Sequence, residues 1–329
     1  MQGFAAGESV CFIRAGGPVG GVNWGPGEIA DKGFGCYLVH RMDNDGLRWL
    51  IKSGLTAALV LLICAVTKPV LPTGMQAPAT TARDGTLVAL NRYLSEPVPA
   101  VVLLGSSLMA RIREDYFDGL NVRNLAIGGG SALTGFRFLL LNREKLPQTI
   151  LVETNLLSKG ADEKIIENYS SNKHDTFFRP VRMAVAVYEN WQHAPRNRHE
   201  SVVAANRLLT EAAREYNNQM YLDRAAKGFD QDLTAALQSN VDELARLASV
   251  ARSQGVRVLL VELPYADQLE HTQLASDTRR FASGRFGNLQ DWLHLKLAKS
   301  ELRWPDGMHM DERSAILAAK AIEHAVSER

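Results

Sequence analysis

The chain has 329 residues, 46% of them hydrophobic, which is apolar material enough for one large folded domain or two ordinary ones. Its formal net charge of +1 excludes a whole-chain attraction to nucleic acid. The three cysteines, Cys11, Cys36 and Cys64, all lie near the N-terminus, so the remainder can build neither a disulfide framework nor a cysteine metal site.

Residues 1–47 are glycine-rich and aperiodic. Gly16-Gly17-Pro18-Val19-Gly20-Gly21 is a cluster of breakers, and a disordered tail is expected. Residues 48–67 read as a transmembrane signal anchor. From Trp49 to Val66 the run is apolar apart from Lys52, Ser53 and Thr56. At a rise of about 1.5 Å per residue it nearly covers a hydrocarbon core of about 30 Å. Arg41, Arg48 and Lys52 on its N-terminal side predict a cytoplasmic N-terminus with the bulk of the chain outside. A cleaved signal peptide and a buried soluble helix are the alternatives. The nearest small-x-small triplet, Ala77-Pro78-Ala79, is distant from the apolar core and contains proline. Residues 68–97 are rich in proline and threonine and read as a stalk, with a short helix over 86–94 leading into the domain.

Residues 98–329 alternate strand and helix signals. A strand over 100–104 stops at Gly105-Ser106-Ser107, and a helix is expected over 108–117. A second strand over 120–127 ends in Gly128-Gly129-Gly130-Ser131, followed by a helix over 132–141. A third strand over 149–153 stops at Glu153-Thr154-Asn155. Residues 156–232 read as a helical insertion, with helical spacing over 165–169, 181–191 and 201–216. A long helix over 233–254 stops at Gly255, a strand over 256–263 follows, and a final helix runs from the N-cap Asp311 to near Val326. A fifth strand is placed within 284–304. This order predicts an α/β fold with a parallel sheet covered by helices on both faces.

Four loops carry polar groups suited to acyl transfer. Ser107 follows a strand whose unbroken apolar run predicts burial on both faces, and ligands of open α/β sheets sit at such carboxyl ends. A helix N-terminus beside it would favour a developing anion, although serine at such a junction is also an ordinary cap. Gly129 offers a bare backbone N–H, and Asn155 an amide donor. Asp306-Gly307-Met308-His309 brings a carboxylate and an imidazole into one tight turn. His193 and His199 lack an acidic partner at ligand spacing, so no zinc site is expected. Gly128–Gly130 lacks the spacing of a phosphate loop. Glu262 and Asp267, near Tyr265, read as a solvated loop, and Arg179, Arg182, Arg196 and Arg198 as a solvated face.

Taken together the four loops resemble the SGNH family, or GDSL-type esterases and lipases, over about residues 98–329 apart from the insertion. Gly105-Ser106-Ser107-Leu108 is similar to the first block, Gly-Asp-Ser-Leu, and sets the nucleophile at Ser107. Asn124 followed by Gly129 matches the second block. Glu153-Thr154-Asn155 resembles the third, Gly-x-Asn-Asp, and Asp306 with His309 matches the last, Asp-x-x-His. Ser106 stands where the first block has aspartate, and Glu153 and Leu156 replace the glycine and aspartate around Asn155.

The resemblance implies a three-layer α/β/α sandwich with a parallel, flavodoxin-like sheet behind the N-terminal transmembrane helix. It implies a serine esterase with Ser107 as nucleophile, His309 as base and Asp306 as its orienting carboxylate. The backbone N–H groups of Ser107 and Gly129 and the side chain of Asn155 would form the oxyanion hole. No metal and no organic cofactor is implied. With the inferred topology, the substrate class is O-acylated carbohydrate of the cell envelope or a secreted polysaccharide, at the cytoplasmic membrane. The alternatives are O-acyl transfer to sugar hydroxyls by the same triad, and a catalytically silent carbohydrate-binding or assembly protein.

Overall fold

The computed structural model describes residues 44–67, 82–170 and 198–329. Most of the tail expected over 1–47, and the helix expected over 181–191, lie outside these residues. Helix α1, Asn44–Thr67, includes the stretch Asp45–Ile63, which is long and apolar enough to cross a membrane and has none of its length buried in protein. The chain divides into two units within α1, between Thr56 and Ala57, and the second unit, Ala57–Arg329, holds the sheet.

Helix α2, Ala82–Ser95, packs Leu87, Leu90 and Tyr93 into an apolar cluster on one face of the sheet. Strand β1, Val101–Leu104, is buried at every position. β2, Val122–Asn124, is followed by α3, Ala132–Leu141, and β3, Thr149–Glu153. α3 begins where a side chain can replace a missing helical partner: Ser131 Oγ accepts the Leu133 N–H at 3.2 Å, a cap worth about 1 kcal/mol. After α4, Glu163–Ser170, come α5, Arg198–Leu208; α6, Gln219–Phe229; and α7, Thr234–Ser253. β4, Arg257–Val261, leads to the single turn α8, Asp267–Glu270, then to α9, Gln273–Arg285, and α10, Glu312–Ser327.

The four strands form one parallel sheet in the order β2-β1-β3-β4. Val101 stands opposite Val122 on one side and Thr149 on the other. Successive side chains of a strand point to opposite faces. Val102, Leu104, Ile150, Val152, Val258 and Leu260 accordingly join the cluster under α2, α3, α7 and α9. Val101, Leu103, Leu151, Leu259 and Val261 join the second cluster, under α10 and the turns after β1. Strands apolar on both faces are what a sheet covered on both sides requires.

Several expectations change. No α-helix follows β1: residues 109–111 and 114–116 form two single 3-10 turns, and Ile112 is extended between them. The cause is distant in sequence. The Asn124 carboxamide donates to Met109 O at 2.8 Å and to Ile112 O at 2.7 Å, taking carbonyls that a helix would need. The second strand is shorter than expected, ending at Asn124, although the N–H groups of Leu125 and Ile127 still reach Leu103 O and Gly105 O at 2.9 Å; between them the Ala126 N–H is taken by Asn124 Oδ1 at 2.9 Å. The fifth strand reduces to one parallel bridge, Leu260 with Trp292, held by Leu293 N–H to Leu260 O at 2.7 Å. Within the insertion, the helix expected over 201–216 ends at Leu208, and α6 appears where no helix was expected.

Candidate active site

β1 ends between β2 and β3, so the loops after these three strands emerge side by side at the carboxyl edge of the sheet. Ser107 lies on the first, Gly129 on the second and Asn155 on the third. The fourth contributor arrives from the far end of the chain. Asp306 Oδ1 accepts the backbone N–H groups of Met308 at 3.1 Å and His309 at 2.7 Å, closing a turn just before α10. α10 in turn is anchored by Asp311, whose Oδ1 accepts the Ser314 N–H at 2.8 Å.

The turn presents the imidazole to Ser107. His309 Nδ1 lies 2.7 Å from Asp306 Oδ2, and Nε2 lies 2.8 Å from Ser107 Oγ. With Nδ1–H donating to the carboxylate, Nε2 is left to accept the serine proton, the tautomer a general base needs. Burial pushes the Asp306 carboxyl up. The N–H groups of His309 and Met308 and the imidazole outweigh it and hold the group below its ordinary value. The carboxylate is therefore ionised at neutral pH and free to orient the ring.

Gly307 sets the shape of this turn. Its φ is +80°, a left-handed conformation that glycine adopts without penalty. A Cβ there would lie 2.9 Å from Leu222 N and 3.1 Å from Leu222 Cα, on the first turn of α6. The insertion thus packs its backbone directly against the Asp306–His309 turn. Gly307→Ala combines a left-handed penalty of about 1–2 kcal/mol with a clash against immovable backbone. It should lower unfolding free energy by about 2–4 kcal/mol in urea titration. An unchanged midpoint would show that the turn and α6 are not in contact.

The remaining predicted donors flank the triad without hydrogen-bonding to it. Gly129 has φ +75° and open space where a side chain would stand. The peptide after it is pinned on both sides, with Lys159 Nζ donating to Gly129 O at 2.9 Å and Gly130 N–H to Ile127 O at 2.9 Å. Asn155 is buried. Its amide donates one N–H to Leu263 O at 2.8 Å and accepts the Leu263 N–H at 2.8 Å, locking the loop after β3 to the loop after β4. Tyr265 O–H donates to Asn155 O at 2.9 Å, and burial raises that hydroxyl well above its ordinary value, so it remains a donor.

Two residues gain roles that sequence reasoning does not assign. Asn124 matches a block that gives it no task of its own; in the structure it shapes the chain after Ser107. Glu153 is buried, accepting the Ser106 N–H at 2.7 Å and the Leu156 N–H at 3.2 Å. Its signal in the sequence is a carboxylate ending an otherwise apolar buried strand. Glu262, expected as a solvated loop, is instead partly buried and paired with Arg279 at 2.6 Å; Asp267 is solvent-exposed as expected, 2.7 Å from Lys299. His193 lies outside the described residues, while His199 stands in the first turn of α5. No family, curated protein or solved structure matches this chain.

Proposed function

We propose that this protein is a membrane-anchored serine esterase of the SGNH type. The observation that carries the proposal is the continuous hydrogen-bond chain Asp306–His309–Ser107: a 2.7 Å contact within one turn, and a 2.8 Å contact from His309 to Ser107, 202 residues away in sequence. A serine hydroxyl is a weak nucleophile until a base takes its proton, and that chain supplies both the base and the group that orients it.

Ser107 Oγ attacks the ester carbonyl carbon as its proton passes to His309 Nε2. The carbonyl oxygen becomes an oxyanion, received by the backbone N–H groups of Ser107 and Gly129 and by the second N–H of the Asn155 amide. Collapse of the intermediate breaks the bond to the alcohol, which leaves with the proton from His309 and an acyl group on Ser107. Water then attacks the acyl-serine, giving its proton to His309, which passes it to Ser107 Oγ as the acyl–oxygen bond breaks and the acid is released.

The strand order β2-β1-β3-β4, with a bridge at Trp292 beside β4, supports the three-layer, flavodoxin-like form of the fold, whose strands run 2-1-3-4-5. Helix α1 supports an anchor: it is apolar, exposed throughout its span, and carries Arg48 and Lys52 in its first half. An extracytoplasmic domain tethered there meets O-acylated carbohydrate of the envelope or of a secreted polysaccharide, which is the substrate class we assign.

The chemistry is tested by incubating the full chain in detergent with a fluorophosphonate and mapping the adduct by mass spectrometry. A single adduct on Ser107 is expected, and modification elsewhere with Ser107 free would overturn the reading. The anchor is tested by Leu55→Arg with Ala58→Arg, two charges near the middle of the span that cost about 5–7 kcal/mol together by insertion scales. The doubly substituted chain should move from the membrane pellet to the soluble fraction; retention in the pellet after alkaline wash would remove α1 as the anchor.

A further inference from the structure

The turn that carries Ser107 is held by a group with no part in the acyl-transfer chemistry. Glu153, the last residue of β3, places one carboxylate oxygen 2.7 Å from the Ser106 N–H and the other 3.2 Å from the Leu156 N–H. The first contact fixes the residue before Ser107. The second fixes the residue after Asn155. Ser106 Oγ in turn accepts the Leu108 N–H at 3.1 Å, so the residues on both sides of Ser107 are tied down. Glu153 is 1% exposed and Ser106 2% exposed, leaving no room for water to take over these contacts.

Gly105 shows that space has been kept for this carboxylate. A Cβ at Gly105 would lie 2.7 Å from Glu153 Oε2 and 2.8 Å from Glu153 Cβ, with Met109 Cβ at 2.6 Å. Glycine is therefore needed here for the approach of the Glu153 side chain. A buried carboxylate with an uncompensated charge is costly, and one whose two oxygens accept separate backbone N–H groups is the arrangement that offsets it. Burial outweighs the Ser106 N–H and hydroxyl and the N–H groups of Leu156 and Asn155, and holds the Glu153 carboxyl above its ordinary value.

We infer that Glu153 is a positioning residue for the proposed reaction: it joins the Ser107 turn to the Asn155 loop, setting nucleophile and oxyanion donor at a fixed separation. The inference rests on the esterase reading above and deepens it. The carboxylate works through backbone N–H groups and touches neither substrate nor the reacting atoms. Both its oxygens must accept. A carboxamide can satisfy only one of the two donors and turns an N–H toward the other, and an aspartate stops one methylene short.

The test uses the full chain in detergent, with p-nitrophenyl acetate as substrate and a fluorophosphonate as probe of Ser107. Glu153→Gln should lower kcat by about 10–100-fold, the cost of a small misplacement, with KM little changed. The rate of Ser107 phosphonylation should fall in parallel, while the fraction of molecules labelled at completion stays that of the parent. Glu153→Asp should recover part of the lost rate. A purely structural role would give the opposite pattern: a smaller labelled fraction, with each labelled molecule reacting at the parental rate. That result, or unaltered kcat, overturns the inference. Failure of the unmodified protein to label at Ser107 would sink the esterase reading itself, which separates the two. Should both variants fail to fold, amide hydrogen exchange of the unmodified protein decides: the Ser106 N–H must be among the protected amides, and exchange as fast as an open loop refutes the contact.

Discussion

Ser107→Ala should abolish hydrolysis of short acyl esters, with kcat/KM falling by between about 10⁴ and 10⁶ and the fold unchanged. The size of the effect reflects what is removed. Without Oγ there is no atom to carry the acyl group, and the two-step path closes. What remains is binding and the oxyanion donors, which in comparable sites sustain a residual advantage of about 10³–10⁴ over water. The fold should survive because Ser107 supplies no side-chain bond except that to His309. The turn around it is held by Ser106, Glu153 and Asn124. Circular dichroism and the urea midpoint should match the parent, and retention of full esterase activity would refute Ser107 as nucleophile.

His309→Gln should cost nearly as much, and combining it with Ser107→Ala should cost no more than Ser107→Ala alone, because the two groups act in one step. Asp306→Asn should lower kcat by about 10⁴ by leaving the imidazole in the wrong tautomer. Its effect on stability has a distinct pH signature. The folded Asp306 carboxyl lies below its ordinary value, so its stabilisation is fully present above the unfolded value and is lost as pH falls through the folded one. The difference in unfolding free energy between the parent and Asp306→Asn should be level through neutral pH and shrink only below about pH 4. A difference that grows on acidification would show that Asp306 is not the orienting carboxylate. Fully additive losses in the Ser107–His309 double variant would show that the two do not cooperate.

Much of the frame is legible in local pattern. The limits of β3 and α3 are those read from the sequence, and Asp311 caps the last helix as expected. Apolar runs that stop abruptly at polar triplets mark the loops that stand side by side at the sheet edge. Ser107 and the Asp306–His309 turn, read as two separate motifs, hydrogen-bond to one another through His309. The helix expected after β1 fails for a reason no local pattern contains. Met109, Ile112, Tyr116 and Phe117 have helical spacing, but Asn124, on the neighbouring strand, takes the carbonyls. α9 is not legible locally because its buried positions, Leu274, Ala275, Thr278 and Ala282, are mostly small or polar and are buried by packing chiefly on α7.

The sequence by itself determined the alternation of elements, the apolar span of α1, and the residue types available for chemistry, because these depend on neighbours a few positions away. Only the tertiary structure decided that the Asp306 turn meets Ser107, that α6 leans on Gly307, and that Glu153 holds the Ser106–Ser107 turn from the adjoining strand. Each of these joins residues dozens to hundreds of positions apart, and their hydrogen bonds exist only once the sheet has set its strand order.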